Sequence, residues 1–423
     1  MATINHRRGL LFTLLLIPVL AAPAAAFDNL YVVGDSLSDQ GNLFAATSLI
    51  LGPGNGFPAS DHYYQGRFAD GGNYVDFLGK RLGVASSPSL LGGNNFAYGG
   101  TRTDYNTVED DATKPFPVSL FGQGGVLPED LFPWTLNGQR EAFAGRDAYD
   151  PDALYVVFSG ANDLADLTAS VAVFAVDPAP VIQGLVTAIS AIIDEFVAAG
   201  AQDIIVPNMP NLGVVPGTLR YGPDFAMLAT TLCAVYNNAL DAMLSQWEGA
   251  TNIIRVDTFS LLGEVVSDPA AFGFANATEP CYTGFVVPGP GETECADPDA
   301  YVFWDREHPT AALHAVLADQ MLTATVRDML DDLIQRVASL DASEPTRRPL
   351  ATTLERAWQA FTNPSCRDDQ AAPALIDAFV HVVEARAGEG IAAADAATLV
   401  DRAQRLSSLL EATDNCEGAA QHA

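Results

Sequence analysis

Lysine is almost absent from this chain, with Lys80 and Lys114 the only two in 423 residues. Asp and Glu number 52 against 21 Lys and Arg, for a formal net charge of −31. Nucleic acids and anionic membrane surfaces reward clustered positive charge, so this balance excludes them as general partners. The acidity itself reads as solubility. Cysteine is scarce too: Cys233, Cys281, Cys295, Cys366 and Cys416 lack the short paired spacing of a zinc site, and no metal is expected. Beyond the first residues no segment reads as long and apolar enough to cross a bilayer, so no transmembrane span is expected. Internal repeats and low-complexity tracts are missing. What is left is 49% hydrophobic with Gly and Pro dispersed along its length, a globular chain with one large core and room for a smaller appendage.

The first residues carry their own explanation. His6-Arg7-Arg8 precede the apolar run Gly9 to Leu20, and Ala24-Ala25-Ala26 supplies small residues for cleavage. Residues 1–26 are therefore expected to be a signal peptide, with a secreted or periplasmic mature chain starting near Phe27. An anchor is the competing reading, but the run is short and ends at Pro23. Export permits disulfides. Proximity predicts Cys281 with Cys295 and Cys366 with Cys416, leaving Cys233 as a buried free thiol.

A strand is predicted at Tyr31-Val32-Val33, stopping at the turn Gly34-Asp35-Ser36. Residues 43–75 and 104–135 read as ordered loops rich in Gly, Pro, Asn and aromatics, separated by a helix at Tyr74–Leu82 and a strand breaking into a glycine turn at 94–101. Alternation is plain from residue 154. Strands at 154–158, 204–206 and 253–256 alternate with helices at 181–199 and 225–247, and a long helix runs from Pro309 to about Ser339. That order argues an α/β fold with a central parallel sheet covered on both faces. The main domain is expected at 27–340. A polar, proline-punctuated stretch at 341–349 reads as a linker, and a C-terminal region, 350–423, carries helices at roughly 350–362, 374–387 and 393–412. This appendage is expected either to contact the main domain or to serve an unknown partner.

Ser36 stands at the carboxyl edge of the first strand, where open α/β sheets place their ligands. A serine needs a base, an orienter and oxyanion donors. Asp305-Arg306-Glu307-His308-Pro309 offers the first two, a carboxylate three residues ahead of a histidine at a loop-to-helix junction. Taken alone, that pair reads equally well as an N-cap Asp beside a satisfied His. Oxyanion candidates at predicted strand ends are the backbones of Ser36 and Gly100 and the side chain of Asn162.

Together, Gly34-Asp35-Ser36-Leu37-Ser38-Asp39-x-Gly41-Asn42, Asn95-x-x-x-Gly99-Gly100, Gly160-x-Asn162-Asp163 and Asp305-x-x-His308-Pro309 resemble, in order, the four signature blocks of the GDSL (SGNH) esterase/lipase family, in its branch with the longer Ser-Asp-x-Gly-Asn signature. The resemblance spans about residues 29–340. It implies a three-layer flavodoxin-like domain, Ser36 as nucleophile, His308 as base, Asp305 as orienter, oxyanion donors at Ser36, Gly100 and Asn162, and no cofactor. Asp35, Asp39 and Asn42 are then expected to brace the Ser36 turn, and Arg67, in Gly66-Arg67-Phe68-Ala69-Asp70-Gly71, to be structural. The Gly-x-Ser-x-Gly elbow of the α/β-hydrolases is missing. The function expected is a secreted serine ester hydrolase working through an acyl-enzyme on lipid-type esters, phospholipid among them, because the loops at 43–75 and 96–135 suggest an apolar acyl pocket. A carbohydrate acetyl esterase is the enzymatic alternative, and an exported binding or adhesion protein on the same scaffold the non-enzymatic one.

Overall fold

The computed structural model describes residues 26–103, 133, 135–145, 150–363 and 371–412. The expected signal peptide, but for Ala26, the Cys366–Cys416 pairing and most of the loop at 104–135 lie outside the described residues. Four parallel strands form the central sheet in the order β1 (Leu30–Gly34), β2 (Leu154–Phe158), β3 (Asp203–Pro207), β4 (Asn252–Val256). β1, β2 and β3 are buried along their whole length, which is why they are continuous apolar runs rather than alternating ones. The alternation survives in where the side chains go. Val32, Leu154, Val156, Ile205 and Ile254 point to one face, while Tyr31, Val33, Tyr155, Val157, Ile204 and Val206 point to the other.

The helices in chain order are α1 (Asn42–Leu51), α2 (Tyr74–Leu82), α3 (Leu136–Ala144), α4 (Ala161–Phe174), α5 (Pro178–Ala198), α6 (Pro216–Leu219), α7 (Pro223–Leu244), α8 (Thr258–Ser267), α9 (Ala311–Ser339), α10 (Glu344–Phe361), α11 (Ala371–Glu384) and α12 (Ala393–Ala412). A second, two-stranded sheet pairs β5 (Asn276–Pro280) with β6 (Tyr301–Phe303). α2 and α9 cover the first face of the central sheet, and α3, α4, α5 and α7 cover the second, so the molecule has three layers. α5 is 21 residues long and apolar enough to meet the length and composition of a membrane span, contrary to the expectation that no segment would. Its stripe Ile182, Leu185, Ile189, Ile193 and Phe196 is buried against the sheet, so core packing accounts for its hydrophobicity.

Three departures from the expected pattern have physical causes. The strand expected at 94–101 is reduced to isolated bridges of Asn95 with Val32 and Pro88, and past them side chains share in its pairing: Asn42 Nδ2 donates to the Asn95 and Ala97 carbonyls, and Asn95 Oδ1 accepts from Ala97 N–H. α1 lies within a segment read as loop, and α4 in a stretch for which no element is predicted; each starts after a left-handed glycine, Gly41 (φ 119°) and Gly160 (φ 118°), which the sequence shows only as turn chemistry. The expected linker at 341–349 is helical from Glu344. Pro345 falls in the first turn, where its missing N–H costs nothing, and the N–H groups of Thr346 and Arg347 donate to Ser343 O.

The C-terminal helices contact the main domain. Leu350, Leu354, Ile376, Phe379, Leu399 and Leu406 are buried in the same cluster that holds Val32, Met321 and Met329, so α10, α11 and α12 extend the core beyond α9. One buried cation ties them down. Arg402 of α12 donates to Asp332 of α9 at 2.5 Å and lies 3.4 Å from Asp203 at the start of β3. Removing one partner of such a buried group strands the others. Arg402→Ala is expected to lower unfolding free energy by about 3–5 kcal/mol in urea titrations, and a loss under about 1 kcal/mol would show the helices to be held by apolar packing alone.

Candidate active site

The site begins where β1 stops. A Cβ on Gly34 would sit 2.5 Å from Phe158 O and 2.7 Å from Ser38 Oγ, so only glycine lets the chain turn this tightly. The N–H groups of Ser38 and Asp39 close the turn by donating to Asp35 O, both at 3.0 Å. Ser36 lies at its apex, nearly buried.

Asp39 holds this turn to two other segments. Its Oδ1 accepts from the N–H groups of Gly41 (2.7 Å) and Asn42 (2.6 Å), and its Oδ2 from those of Leu43 (3.1 Å) and Gly99 (2.8 Å). One carboxylate thus caps α1 and clamps the 97–100 turn. Burial outweighs the four donors and pushes its pKa up to about 6, so it is mostly ionised at neutral pH. Asn95 Nδ2 donates to Ser38 O at 2.7 Å, and Asn42 Oδ1 accepts from Leu90 N–H at 3.0 Å. Asp35 accepts from the backbone of Leu37 and of Ala161, linking the turn to α4; burial raises it as well, to about 6.

The 304–309 loop comes in from β6 and closes on itself through Trp304 N–H to His308 O at 2.8 Å. Asp305 Oδ1 accepts from the N–H groups of Glu307 and His308, each at 2.8 Å, and Oδ2 faces His308 Nδ1 at 2.7 Å. The carboxylate therefore holds a proton on Nδ1 and leaves Nε2 as an acceptor, 3.0 Å from Ser36 Oγ. Asp305 is fully buried. Burial works to raise its pKa, but His308 and the hydrogen bonds it receives hold it below the ordinary carboxylate value. Burial likewise works to lower His308, and Asp305 outweighs it with help from Glu307 and Asp35, so His308 stays above its usual 6.5. His314 shows the contrast: with no carboxylate bonded to its ring, burial drives it down to about 3, a neutral core histidine.

The structure brings every residue of the expected site to the carboxyl ends of β1 and β2. Gly100 occupies the left-handed region (φ 77°) in the turn clamped by Asp39, and its carbonyl accepts from Arg102, which pairs with Asp166. Asn162, in the first turn of α4, donates one amide hydrogen to Thr101 O at 3.0 Å. Its second amide hydrogen has no partner among the described residues. Asp35, Asp39 and Asn42 act as braces through the bonds above, and Arg67 forks onto Asp76 at 2.7 and 2.9 Å.

Two further residues were not singled out by sequence. Gln139 of α3 locks the end of β1 by accepting from Gly34 N–H and donating to Gly34 O, both at 2.9 Å, and it also donates to Thr101 Oγ1 at 2.8 Å. Nothing local to Gln139 announces this. Tyr63 donates to Asp305 Oδ2 at 2.6 Å; its only trace in the sequence is the aromatic run 61–68. Tyr63 packs with Tyr282 and Trp304 against the Cys281–Cys295 disulfide, whose expected pairing is present, and Cys233 is a buried free thiol. Around the imidazole the lining is apolar: Phe68 and Phe285 lie 4.9 and 5.9 Å from the His308 ring, backed by Leu43, Ala46, Tyr98 and Val286. The acidic group Asp28, Asp150 and Asp152 sits at the opposite, amino edge of the sheet, where Arg405 pairs with Asp152.

A parallel α/β sheet carrying a buried Ser–His–Asp relay at its carboxyl edge defines a serine ester hydrolase. Comparison with known proteins agrees. Residues 30–321 match the GDSL-like lipase/acylhydrolase family, and the chain belongs to it. A GDSL esterase/lipase of Arabidopsis thaliana is 26% identical over 339 residues, 71% of this chain and 86% of the relative. The phosphatidylcholine-sterol acyltransferase of Aeromonas hydrophila is 23% identical over 338 residues, 70% and 90% of the two chains.

The Asp39 clamp yields a sharp expectation. In Asp39→Asn, whichever way the amide is turned, its NH2 faces two of the four N–H donors. At about 1–3 kcal/mol for each buried donor left unpaired, the variant is expected to lose roughly 3 kcal/mol or more by chemical denaturation. A neutral effect would mean that the clamp is not ionised.

Proposed function

We propose that the protein hydrolyses lipid-type carboxylic esters outside the cytosol through an acyl-enzyme on Ser36. The observation that carries this reading is the unbroken relay from Ser36 Oγ to His308 Nε2 at 3.0 Å and from His308 Nδ1 to Asp305 at 2.7 Å. His308 takes the serine proton as Oγ attacks the ester carbonyl, then returns it to the departing alkoxide. Water deacylates the serine by the same route. The Ser36 and Gly100 backbones and the Asn162 amide supply oxyanion donors. Asp305 stays ionised and steadies the imidazolium, while Tyr63 holds the carboxylate. The lipid preference rests on the apolar lining beside His308, and the extracytosolic setting on the disulfide together with the leader-like residues 1–26. An acetylated polysaccharide has little use for so apolar a slot, and a purely binding role has none for the relay.

A fluorophosphonate probe on the mature protein tests the chemistry. Labelling is expected for the native chain and not for Ser36→Ala, whose kcat on nitrophenyl esters should fall at least roughly 10³-fold. Labelling that persists in folded Ser36→Ala would reject Ser36 as nucleophile. Chain-length profiling on those esters beside acetylated xylan tests the substrate class, and activity confined to the xylan would overturn the lipid reading.

The pH dependence follows from the electrostatics. His308 must be neutral to accept the proton, and Asp305, Glu307 and Asp35 all favour its charged form. Activity is therefore lost as pH falls through a pKa held above 6.5, so kcat/KM should show an acid limb with its midpoint above that value. A limb centred below pH 6 would mean that burial, rather than Asp305, governs His308.

A further inference from the structure

The strongest feature that the mechanism does not use is an arginine between its acid and its base whose guanidinium forms no hydrogen bond among the described residues. Other arginines near the nucleophile turn are occupied: Arg67 forks onto Asp76, and Arg102 onto Asp166 at 2.5 and 3.1 Å. Arg306 differs. Its guanidinium lies over the Phe285 ring at 3.8 Å, and Phe285 in turn stacks beside His308. Its Nε is buried with no hydrogen-bond partner; the Glu307 carboxylate approaches at 3.5 Å without aligned geometry. Among the described residues the guanidinium makes no hydrogen bond at all. Its backbone is nonetheless fixed, because Arg306 O accepts Gly217 N–H at 2.6 Å. The backbone is thus anchored and the cation rests on an aromatic face, with unsatisfied donors beside a catalytic imidazole.

We infer that Arg306 binds the phosphodiester of a glycerophospholipid, on the alcohol side of the scissile ester. The inference rests on the lipid-ester reading above and names its substrate class. His308 must deliver a proton to the leaving alkoxide, so the alcohol portion departs past the 305–308 loop, and that is where Arg306 stands. The acyl side is served by the apolar cluster of Leu43, Ala46, Phe68, Tyr98 and Val286. A planar guanidinium fork matches two phosphate oxygens, and stacking on Phe285 orders it in advance.

The test compares two substrates of equal acyl length, dihexanoylphosphatidylcholine and dihexanoylglycerol, below their aggregation limits, by titrating released fatty acid with the mature full-length chain. Native protein is expected to favour the phospholipid. Arg306→Gln should lower the phospholipid-to-diacylglycerol ratio of kcat/KM by roughly tenfold, chiefly through KM. Arg306→Lys should recover part of it, since it keeps the charge and loses the fork. An unchanged ratio, or an equal fall on both substrates, would make Arg306 a brace for Phe285 and overturn the inference. If the native chain cleaves the diacylglycerol and ignores the phospholipid, the inference fails while the lipid-ester reading stands. Failure on both lipids rejects the two together.

Discussion

Four backbone N–H groups converge on the Asp39 carboxylate, and the geometry of the active site depends on that convergence. Burying an ionised carboxylate costs several kcal/mol, and four charge-assisted hydrogen bonds offset most of that cost but not all of it, since the pKa of Asp39 is still raised. The shared acceptor is what keeps three separate segments in register: the turn bearing Ser36, the first turn of α1 and the glycine turn at 99–100. Glycine is needed where backbones approach this closely. A Cβ on Gly99 would lie 2.1 Å from the Phe68 ring, which itself lines the slot beside His308.

A second buried carboxylate, Asp305, works by the same physics to a different end. Asp39 faces only neutral backbone donors and its pKa is raised, whereas Asp305 shares its pocket with an imidazole and is lowered. One holds a shape; the other favours the charged form of the imidazole beside it. Tyr63 and the disulfide-bridged loop confine Asp305 from the outer side, so the relay is braced by packing as well as by hydrogen bonds.

The C-terminal helices show how far a core can be extended without a new domain seam. Their apolar faces join the cluster beneath the sheet, and Arg402 reaches Asp332 in α9 and approaches Asp203 in β3. Periodicity revealed these helices. It did not reveal their docking, because an amphipathic stripe says that something covers it and not what.

Sequence by itself determined the α/β class, the strands at β1 to β4 and the residues of the relay. Strands buried on both faces must be continuous apolar runs, and the Asp-x-x-His spacing places both side chains on one short loop. It also pointed to the Cys281–Cys295 pairing, since few residues separate them. It read α1 as loop, left α4 without an element and placed the start of α10 too late, where a left-handed glycine or a first-turn proline opens a helix with the residues that usually make turns. Only the tertiary structure decided which groups meet across long separations. Gln139 reaches Gly34 across 105 positions, Tyr63 reaches Asp305 across 242, and Ser36 meets His308 across 272. Local propensity falls off within a few residues, whereas contacts like these depend on where the sheet and its covering helices carry each end of the chain.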